Sequence, residues 1–205
     1  MSRIDIKLDS HPTRRCGECQ ACCKLLPMKE GREEWDTITG TRWARGFHKP
    51  ANTKCPHQKF GVGCKIYRQR PLCCRTFVCR WLTGQDTDDQ HRPDRSHCVI
   101  DPMPDALWME DNDTKQRTSI QVIQIWVDPK HRYAYRDEPM RSYIERQGKL
   151  GIASLIRWDS SAGLVVFPAS ITGTEWMERG GISEQERTPE DALRELAASA
   201  RLVPP

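Results

Sequence analysis

The sequence predicts an α+β fold, in which a loop-rich cysteine module is followed by a small antiparallel sheet with one or two helices. Nine of the ten cysteines lie between Cys16 and Cys79, in a segment that has many prolines and glycines and few large apolar residues. The second half instead alternates short apolar runs with turn signals, which is typical of strands and hairpins. The contrast between the two halves is the basis of the prediction.

Two hairpins are predicted in the second half. Residues 107–109 lead through a turn at residues 111–113 into the β-branched run of residues 119–127. That run has apolar residues on both faces, so we expect it to be a central strand of its sheet. Residues 152–158 and 164–167 flank a turn rich in Asp, Ser and Gly and form the second hairpin.

The helix signals of the second half are short. Residues 139–147 place Met140, Tyr143 and Ile144 on one face, which predicts a helix packed on the sheet. A further helix is predicted close to the C-terminus, where Thr188 is the expected N-cap.

The density of cysteines has two interpretations, disulfide bonds or metal binding. The N-terminus has charged residues early and no apolar signal stretch, so we expect a cytoplasmic protein. No window approaches the roughly 18 apolar residues that cross a bilayer, and no membrane partner is expected. In a reducing compartment such a pattern favours metal binding or redox chemistry over disulfides.

The first cysteine element is CGECQACC over residues 16–23. A two-residue gap lets both sulfurs turn toward one ion, as in zinc and iron–sulfur sites. The run Cys16, Cys19, Cys22 has the spacing of bacterial ferredoxin loops, although the cysteine–proline pair that completes those loops is absent. Three cysteines at this spacing, with a fourth adjoining, are a strong indication of a metal site.

The second element consists of CPH at residues 55–57, GCKIY at residues 63–67 and RPLCCRTFVC at residues 70–79. With both elements, the chain resembles the CxxCxxCC family of zinc- or iron-chelating domains, the YkgJ-like cysteine-cluster proteins. That family has a CxxCxxCC run, an isolated cysteine, and then Cys-x-Ile-Tyr-x-x-Arg-Pro-x-x-Cys-Arg-x-Phe, often with a last cysteine. The resemblance covers residues 16–82, is highly specific, and says little about residues 95–205.

The resemblance implies a set of metal ligands, which are Cys16, Cys19, Cys22, Cys23, Cys55, Cys64, Cys74 and Cys79. Cys73 stands where the family tolerates other residues and Cys98 lies outside the pattern, so neither is assigned as a ligand. His57 is expected to be an exposed loop residue, because no second histidine stands at zinc-finger spacing.

The number and kind of metal stay open at this point. Adjacent side chains rarely reach one tetrahedral ion together, so in the pairs Cys22–Cys23 and Cys73–Cys74 either the two members serve different metals or one of them packs or reacts. The eight cysteines could fill two four-thiolate sites, or one closed site with spare thiols. Thiolates suit zinc and iron alike, as single ions or as an iron–sulfur cluster.

Basic residues are concentrated in the same half as the cysteines. Residues 1–80 carry 17 Lys and Arg against 7 Asp and Glu, whereas residues 81–205 carry 15 against 21. A solvated surface and a nucleic-acid footprint are two interpretations. We prefer a third, because cations interleaved with cysteines lower the thiol pKa and offset the charge of a four-thiolate metal site.

These observations predict four segments and one leading function. The segments are a cysteine-cluster metal-binding module (1–82), a polar linker or loop (83–96), an α+β segment packed on the module (97–178), and a C-terminal helix and tail (179–205). The leading function is zinc or iron binding for chelation, delivery or sensing. One alternative is an iron–sulfur enzyme related to protein lysine methylation, although no catalytic motif is present. The other is a zinc-ordered module that binds nucleic acid or protein.

Overall fold

The computed structural model describes residues 14–28, 48–101, 105–110, 113–173 and 176–180. It contains short helices and a mixed sheet, which confirms the predicted α+β class. The N-terminal part is rich in loops, also as predicted. The predicted C-terminal helix, with its cap Thr188, lies outside the described residues.

The cysteine module is built from short elements that turns connect. Their bounds are α1 Ala21–Leu25, β1 Gln58–Lys59, β2 Gly63–Cys64, a 3-10 turn Tyr67–Gln69, α2 Leu72–Thr76, α3 Arg80–Thr83 and α4 Pro93–Ser96. β1 and β2 pair as an antiparallel hairpin. α2 begins after Pro71, and α3 ends at Gly84, whose φ of 75° is the left-handed conformation that ends many helices. Proline and glycine therefore keep these elements short.

The second half is dominated by one sheet of six strands. Its elements are β3 Cys98–Ile100, β4 Asp105–Glu110, β5 Arg117–Val127, α5 Met140–Lys149, β6 Ala153–Arg157, β7 Gly163–Phe167, α6 Ala169–Thr172 and β8 Met177–Gly180. The strand order is β3-β5-β6-β7-β8, and β4 pairs with the first part of β5.

Both predicted hairpins are confirmed. β4 and β5 pair antiparallel, as do β6 and β7. In the second turn, one carboxylate oxygen of Asp159 accepts the N–H groups of Ser161 and Ala162 at 2.7 and 2.6 Å. β5 has β6 on one side and β3 and β4 on the other, which confirms its predicted central position.

The sheet is mixed rather than wholly antiparallel as predicted, because β5 and β6 run parallel. Val122 lies beside Ala153, and Trp126 lies beside Arg157. The chain leaves β5, passes through α5, and returns to the same end of the sheet, which is the crossover that a parallel pair requires. The apolar pattern of a strand carries no information about its direction, so the sequence missed this pair.

The main core lies between α5 and the sheet. The predicted helix is confirmed and continues to Lys149. Met140, Tyr143 and Ile144 are at most 3% exposed, and they pack with Ile156 of β6. Burying one such side chain stabilises the fold by roughly 1.5–3 kcal/mol. α5 has ten residues, and no described helix is long and apolar enough to cross a membrane.

A second, apolar junction fixes the cysteine module to the sheet. Leu25 of α1 packs with Val99 of β3 and Trp126 of β5, and all three side chains are at most 5% exposed. Beside this junction, the ammonium group of Lys24 forms an ion pair with Asp128. The helix that carries two of the cysteines is therefore anchored on a folded platform.

Residues 83–96 also contact both halves of the protein. The guanidinium of Arg14 donates to the hydroxyl and to the carbonyl of Thr87, at 2.8 and 2.7 Å. Thr87 is fully buried, and the amide of Gln90 donates to the carbonyl of Pro139 at 2.9 Å. This polar stretch therefore bridges the cysteine module and the start of α5.

Candidate metal centre

The first cysteine element is a tight turn that leads into α1. The N–H of Cys19 donates to the carbonyl of Cys16 at 2.8 Å, and Gly17 has a φ of 49°, a conformation that glycine adopts at little cost. Cys22 and Cys23 follow within α1. Four thiols of the predicted ligand set therefore lie on one short, continuous segment.

The β1–β2 hairpin brings Cys55 and Cys64 beside this turn. Cys55 precedes β1, where its carbonyl accepts the N–H of Gln58 at 3.0 Å, and Cys64 lies in β2 opposite Gln58. Gly63 has a φ of 101°, and a Cβ there would lie 3.1 Å from the carbonyl oxygen of Gly17. The base of the hairpin thus rests directly against the first cysteine turn.

The last two predicted ligands lie on the two short helices that follow. Cys74 lies within α2, and its thiol contacts the sulfur of Met28 at 3.6 Å. Cys79 is the N-cap residue of α3. Met28 is joined to Lys49 by two backbone hydrogen bonds of 2.8 Å, so segments before and after the undescribed residues 29–47 meet beside Cys74.

We define a first thiol group as Cys16 and the three cysteines of the first element and α3 on which its charge acts, which are Cys19, Cys22 and Cys79. Burial raises the pKa of Cys19 to about 11, and the charge of Cys16 contributes. Burial likewise raises the pKa of Cys79, again with a contribution from Cys16. The pKa of Cys22 is raised by its hydrogen bond to Cys23, by burial, and by the charges of Cys23, Cys16 and Cys79.

Four other cysteines form a second thiol group: Cys23, Cys55, Cys64 and Cys74. Burial raises the pKa of Cys55, and the charges of Cys23 and Cys64 raise it further. The pKa of Cys74 is raised by a hydrogen bond with Cys73 and by burial, and Cys23 and Cys55 contribute. Each member therefore interacts with at least one other member of this group.

The vicinal pair Cys22–Cys23 lies where the two groups meet. A hydrogen bond from Cys22 lowers the pKa of Cys23 to about 7, and the cations Lys49 and Arg70 also lower it against the effect of burial. The same hydrogen bond raises the pKa of Cys22. Cys23 is therefore the member of the pair that ionises first.

Backbone N–H groups point at three of the thiols. The thiol of Cys19 accepts from the N–H groups of Ala21 and Asp94, and that of Cys55 accepts from His57. Cys79 accepts from the N–H groups of Leu82 and Trp81 at the start of α3. Such donors favour the thiolate, and hydrogen bonds of this kind orient and tune the ligands of metal sites.

Lys49 places a buried positive charge beside the second thiol group. It is 5% exposed, and its ammonium lies within hydrogen-bonding distance of four carbonyls, those of Lys24, Leu26, Pro50 and Thr53, which share its three N–H donors. Burial lowers its pKa, while the charges of four thiols, beginning with Cys55, raise it. The sequence did not single out this lysine, because nothing local to a loop lysine signals that it is buried.

Three further residues were left without a ligand role by the sequence. Cys73 is exposed on α2. Cys98 is 1% exposed and belongs to the core between the sheet and α5, where burial raises its pKa. His57, expected to be exposed, is half-buried, and its backbone N–H and carbonyl take part in the hairpin base.

The donor set fits a thiolate-bound metal. All ten cysteines are free of disulfides, and the predicted ligands are gathered into two groups whose members disfavour one another's charge. A bound cation would relieve that repulsion. In the part of the chain that the structure describes, no three Cys, His, Asp or Glu side chains are arranged to hold a metal ion as they stand.

Replacing Lys49 tests the importance of its buried charge. Lys49→Met keeps the length of the side chain and leaves buried carbonyls unpaired, each at a cost of roughly 1–3 kcal/mol. We expect the free energy of unfolding of the metal-loaded protein to fall by at least about 3 kcal/mol in urea titrations. The control Lys54→Met removes an exposed lysine and should change the free energy of unfolding by less than about 0.5 kcal/mol. Equal losses in the two variants would contradict a special role of Lys49.

Comparison with known proteins agrees with the geometry of the cysteine module. A search of curated proteins and a search of solved structures found no significant match. Residues 15–99 match the family model CxxCxxCC, whose description is "Putative zinc- or iron-chelating domain". The matched segment contains both thiol groups, so this part of the chain is similar to the zinc- or iron-chelating domains that the family model describes.

Proposed function

We propose that the chain binds zinc or iron in two four-thiolate sites, one at each thiol group. The observation that carries the proposal is the division of the eight cysteines at the vicinal pair. The charges of Cys16 and Cys79 act on Cys22. The charge of Cys23 acts on Cys55 and Cys74, and also on Cys16, so the pair lies between the two groups. This division supports the arrangement in which adjacent cysteines serve different metals.

The first site would take three ligands from one turn and α1 and a fourth from the start of α3. Cys16, Cys19 and Cys22 lie on one continuous segment, and Cys79 approaches with N–H groups directed at its sulfur. Three close cysteines and one distant cysteine are the arrangement by which many iron–sulfur clusters are held. Four thiolates also satisfy the tetrahedral preference of zinc.

The second site would draw its ligands from four separate elements. Cys23 comes from α1, Cys55 from the loop before β1, Cys64 from β2 and Cys74 from α2. A metal held here would tie these elements together, which is the role of a structural site in a segment with little apolar core. Because the cations Lys49 and Arg70 stabilise the charge of Cys23, this thiol is prepared for ligation.

A bound metal would order the module, and the two sites would let the protein take up and release the ion. The protein's own residues provide thiolates, direct N–H groups at their sulfurs, and hold positive charge beside them. Four thiolates around a divalent ion leave a net charge of about −2 at each site. That remaining charge is matched by a region that is rich in Lys and Arg. Chelation, delivery and sensing of the metal are the roles that these features support.

Removing the metal should loosen the cysteine module before the sheet. In small zinc peptides, metal binding supplies an apparent folding free energy of about 10–16 kcal/mol. We expect a strong chelator to increase hydrogen exchange in residues 16–82, while the strands of the second half stay protected by the core beneath α5. Equal protection before and after verified metal removal would refute the coupling of metal to folding.

Single cysteine substitutions should separate the two sites. Cys19→Ser should remove metal from the first site and Cys74→Ser from the second, so each should lose about half of the bound metal and the double variant nearly all. Cys98→Ser is the matched control, because that thiol is buried in the core under the sheet, and Cys73→Ser should be milder than Cys74→Ser. Metal content per chain measures all of these. Loss of metal in Cys98→Ser as large as in Cys19→Ser would show the ligand assignment to be wrong.

A further inference from the structure

The segment around the second thiol group has a one-sided charge. From Lys49 to Gln85, counting Lys49 itself, the sequence contains eight Lys and Arg and no Asp or Glu. Lys49 is buried beside the thiols, but Lys59, Lys65 and Arg68 are exposed to solvent. Exposed cations in a segment that contains no acids attract polyanions, and the binding of polyanions releases counterions.

Large apolar and aromatic side chains of the same segment are exposed to solvent. Phe60 is 92% exposed and Val62 is 62% exposed, at the tip of the β1–β2 hairpin. Tyr67, just after β2, is 55% exposed, and the guanidinium of Arg70 lies over its ring at 3.9 Å. Aromatic rings and guanidinium planes are the surfaces on which unpaired bases stack.

The hairpin tip is held in place by hydrogen bonds. Residues 59–62 form a tight turn, in which the N–H of Val62 donates to the carbonyl of Lys59 at 3.1 Å and Gly61 has a φ of 68°. The side-chain amide of Gln20 donates to the same Lys59 carbonyl at 2.6 Å. Phe60 is therefore presented by an ordered turn that rests on the first cysteine element.

The shape of the region selects the kind of nucleic acid. In residues 48–85 no helix is longer than five residues and no strand is longer than two, so no element is long enough to lie along a duplex groove. A single strand needs no such element, because its bases are free to stack on separate rings while its phosphates contact nearby cations. A membrane surface fits less well, since the exposed aliphatic and phenyl side chains of the hairpin tip are Phe60 and Val62 alone, and exposed cations stand beside them at Lys59, Lys65 and Arg68.

We propose that this surface, made of Lys59, Phe60, Lys65, Tyr67, Arg68 and Arg70, binds single-stranded nucleic acid. Bases stack on Phe60 and on the Tyr67–Arg70 pair, and the exposed cations contact the phosphates. The proposal goes beyond metal binding, because the metal orders the hairpin and takes no part in contacting the strand.

The test uses the full-length, metal-loaded protein and fluorescein-labelled 12-mers of oligouridine and oligo-dT, with a 12-base-pair duplex as comparison. We expect fluorescence anisotropy to show binding to the single strands that weakens steeply as salt rises, and weaker binding to the duplex. Phe60→Ala and Tyr67→Ala should each lower the affinity for the better-bound strand by roughly tenfold. Comparing oligouridine with oligo-dT shows which of the two strands is bound better.

The second half of the protein offers matched controls. Tyr133 is 58% exposed with Arg136 over its ring at 4.9 Å, so Tyr133→Ala removes a similar exposed pair and should leave affinity unchanged. Lys59→Glu with Lys65→Glu should weaken binding and flatten its salt dependence, whereas the exposed pair Lys130→Glu with Lys149→Glu should not.

Three results would overturn the proposal. The first is that no labelled strand binds. The second is that Tyr67→Ala and Tyr133→Ala lose the same amount of affinity for the strand. The third is that the protein binds phosphatidylserine vesicles through Phe60 and binds no strand. The metal content of every variant is measured in parallel, and an unchanged content shows that the module is intact. If protein that holds no metal binds the strand, the proposed metal sites are contradicted and the proposed strand-binding surface is not. Failure of the metal proposal can therefore be told apart from failure of the strand-binding proposal.

Discussion

Mutual repulsion between closely spaced thiolates sets the conditions that the cysteine module has to meet. Eight thiols lie on a few short elements, and burial and the neighbouring thiols raise the pKa of most of them. Ionising them together without compensation would be costly in a partly buried region. Two features of the chain reduce that cost: backbone N–H groups aimed at the sulfurs, and cations such as Lys49 and Arg70. A bound metal completes the compensation, so the same charges that oppose ionisation favour ligation.

The rest of the fold gives this module a rigid support. Within its described residues, the cysteine segment shares its buried apolar cluster with the sheet, through the packing of Leu25 on Val99 and Trp126. The core between α5 and the sheet is built independently of the thiols, apart from the buried Cys98. Metal binding would therefore order the inside of the module, while the packing of Leu25 on the sheet holds the module in place. The β1–β2 hairpin, whose tip carries Phe60, rests on the first cysteine element through the contact of Gln20 with the carbonyl of Lys59.

Much of this organisation was predictable from local patterns. Alternating apolar residues and turn signals predicted the two hairpins, and the shared helical face of Met140, Tyr143 and Ile144 predicted α5. The parallel pairing of β5 and β6 was not predictable, because strand direction depends on the path of the connecting helix. The vicinal cysteines had already raised the possibility of two metals. Lys49 was missed because its burial arises from contacts with carbonyls on both sides of a long gap in sequence.

Metal content and thiol reactivity, determined together on protein purified without oxygen, test the central claim most directly. The account predicts two thiolate-bound metal centres per chain, of zinc or of iron. It also predicts that under native conditions a titrating reagent reacts rapidly with the exposed Cys73 alone among the cysteines, all of which lie within the described residues. A brown protein whose absorption near 400 nm is bleached by dithionite would identify iron–sulfur clusters, and a colourless one would identify zinc. Protein that carries neither metal, with all ten thiols free to the reagent, would contradict the account.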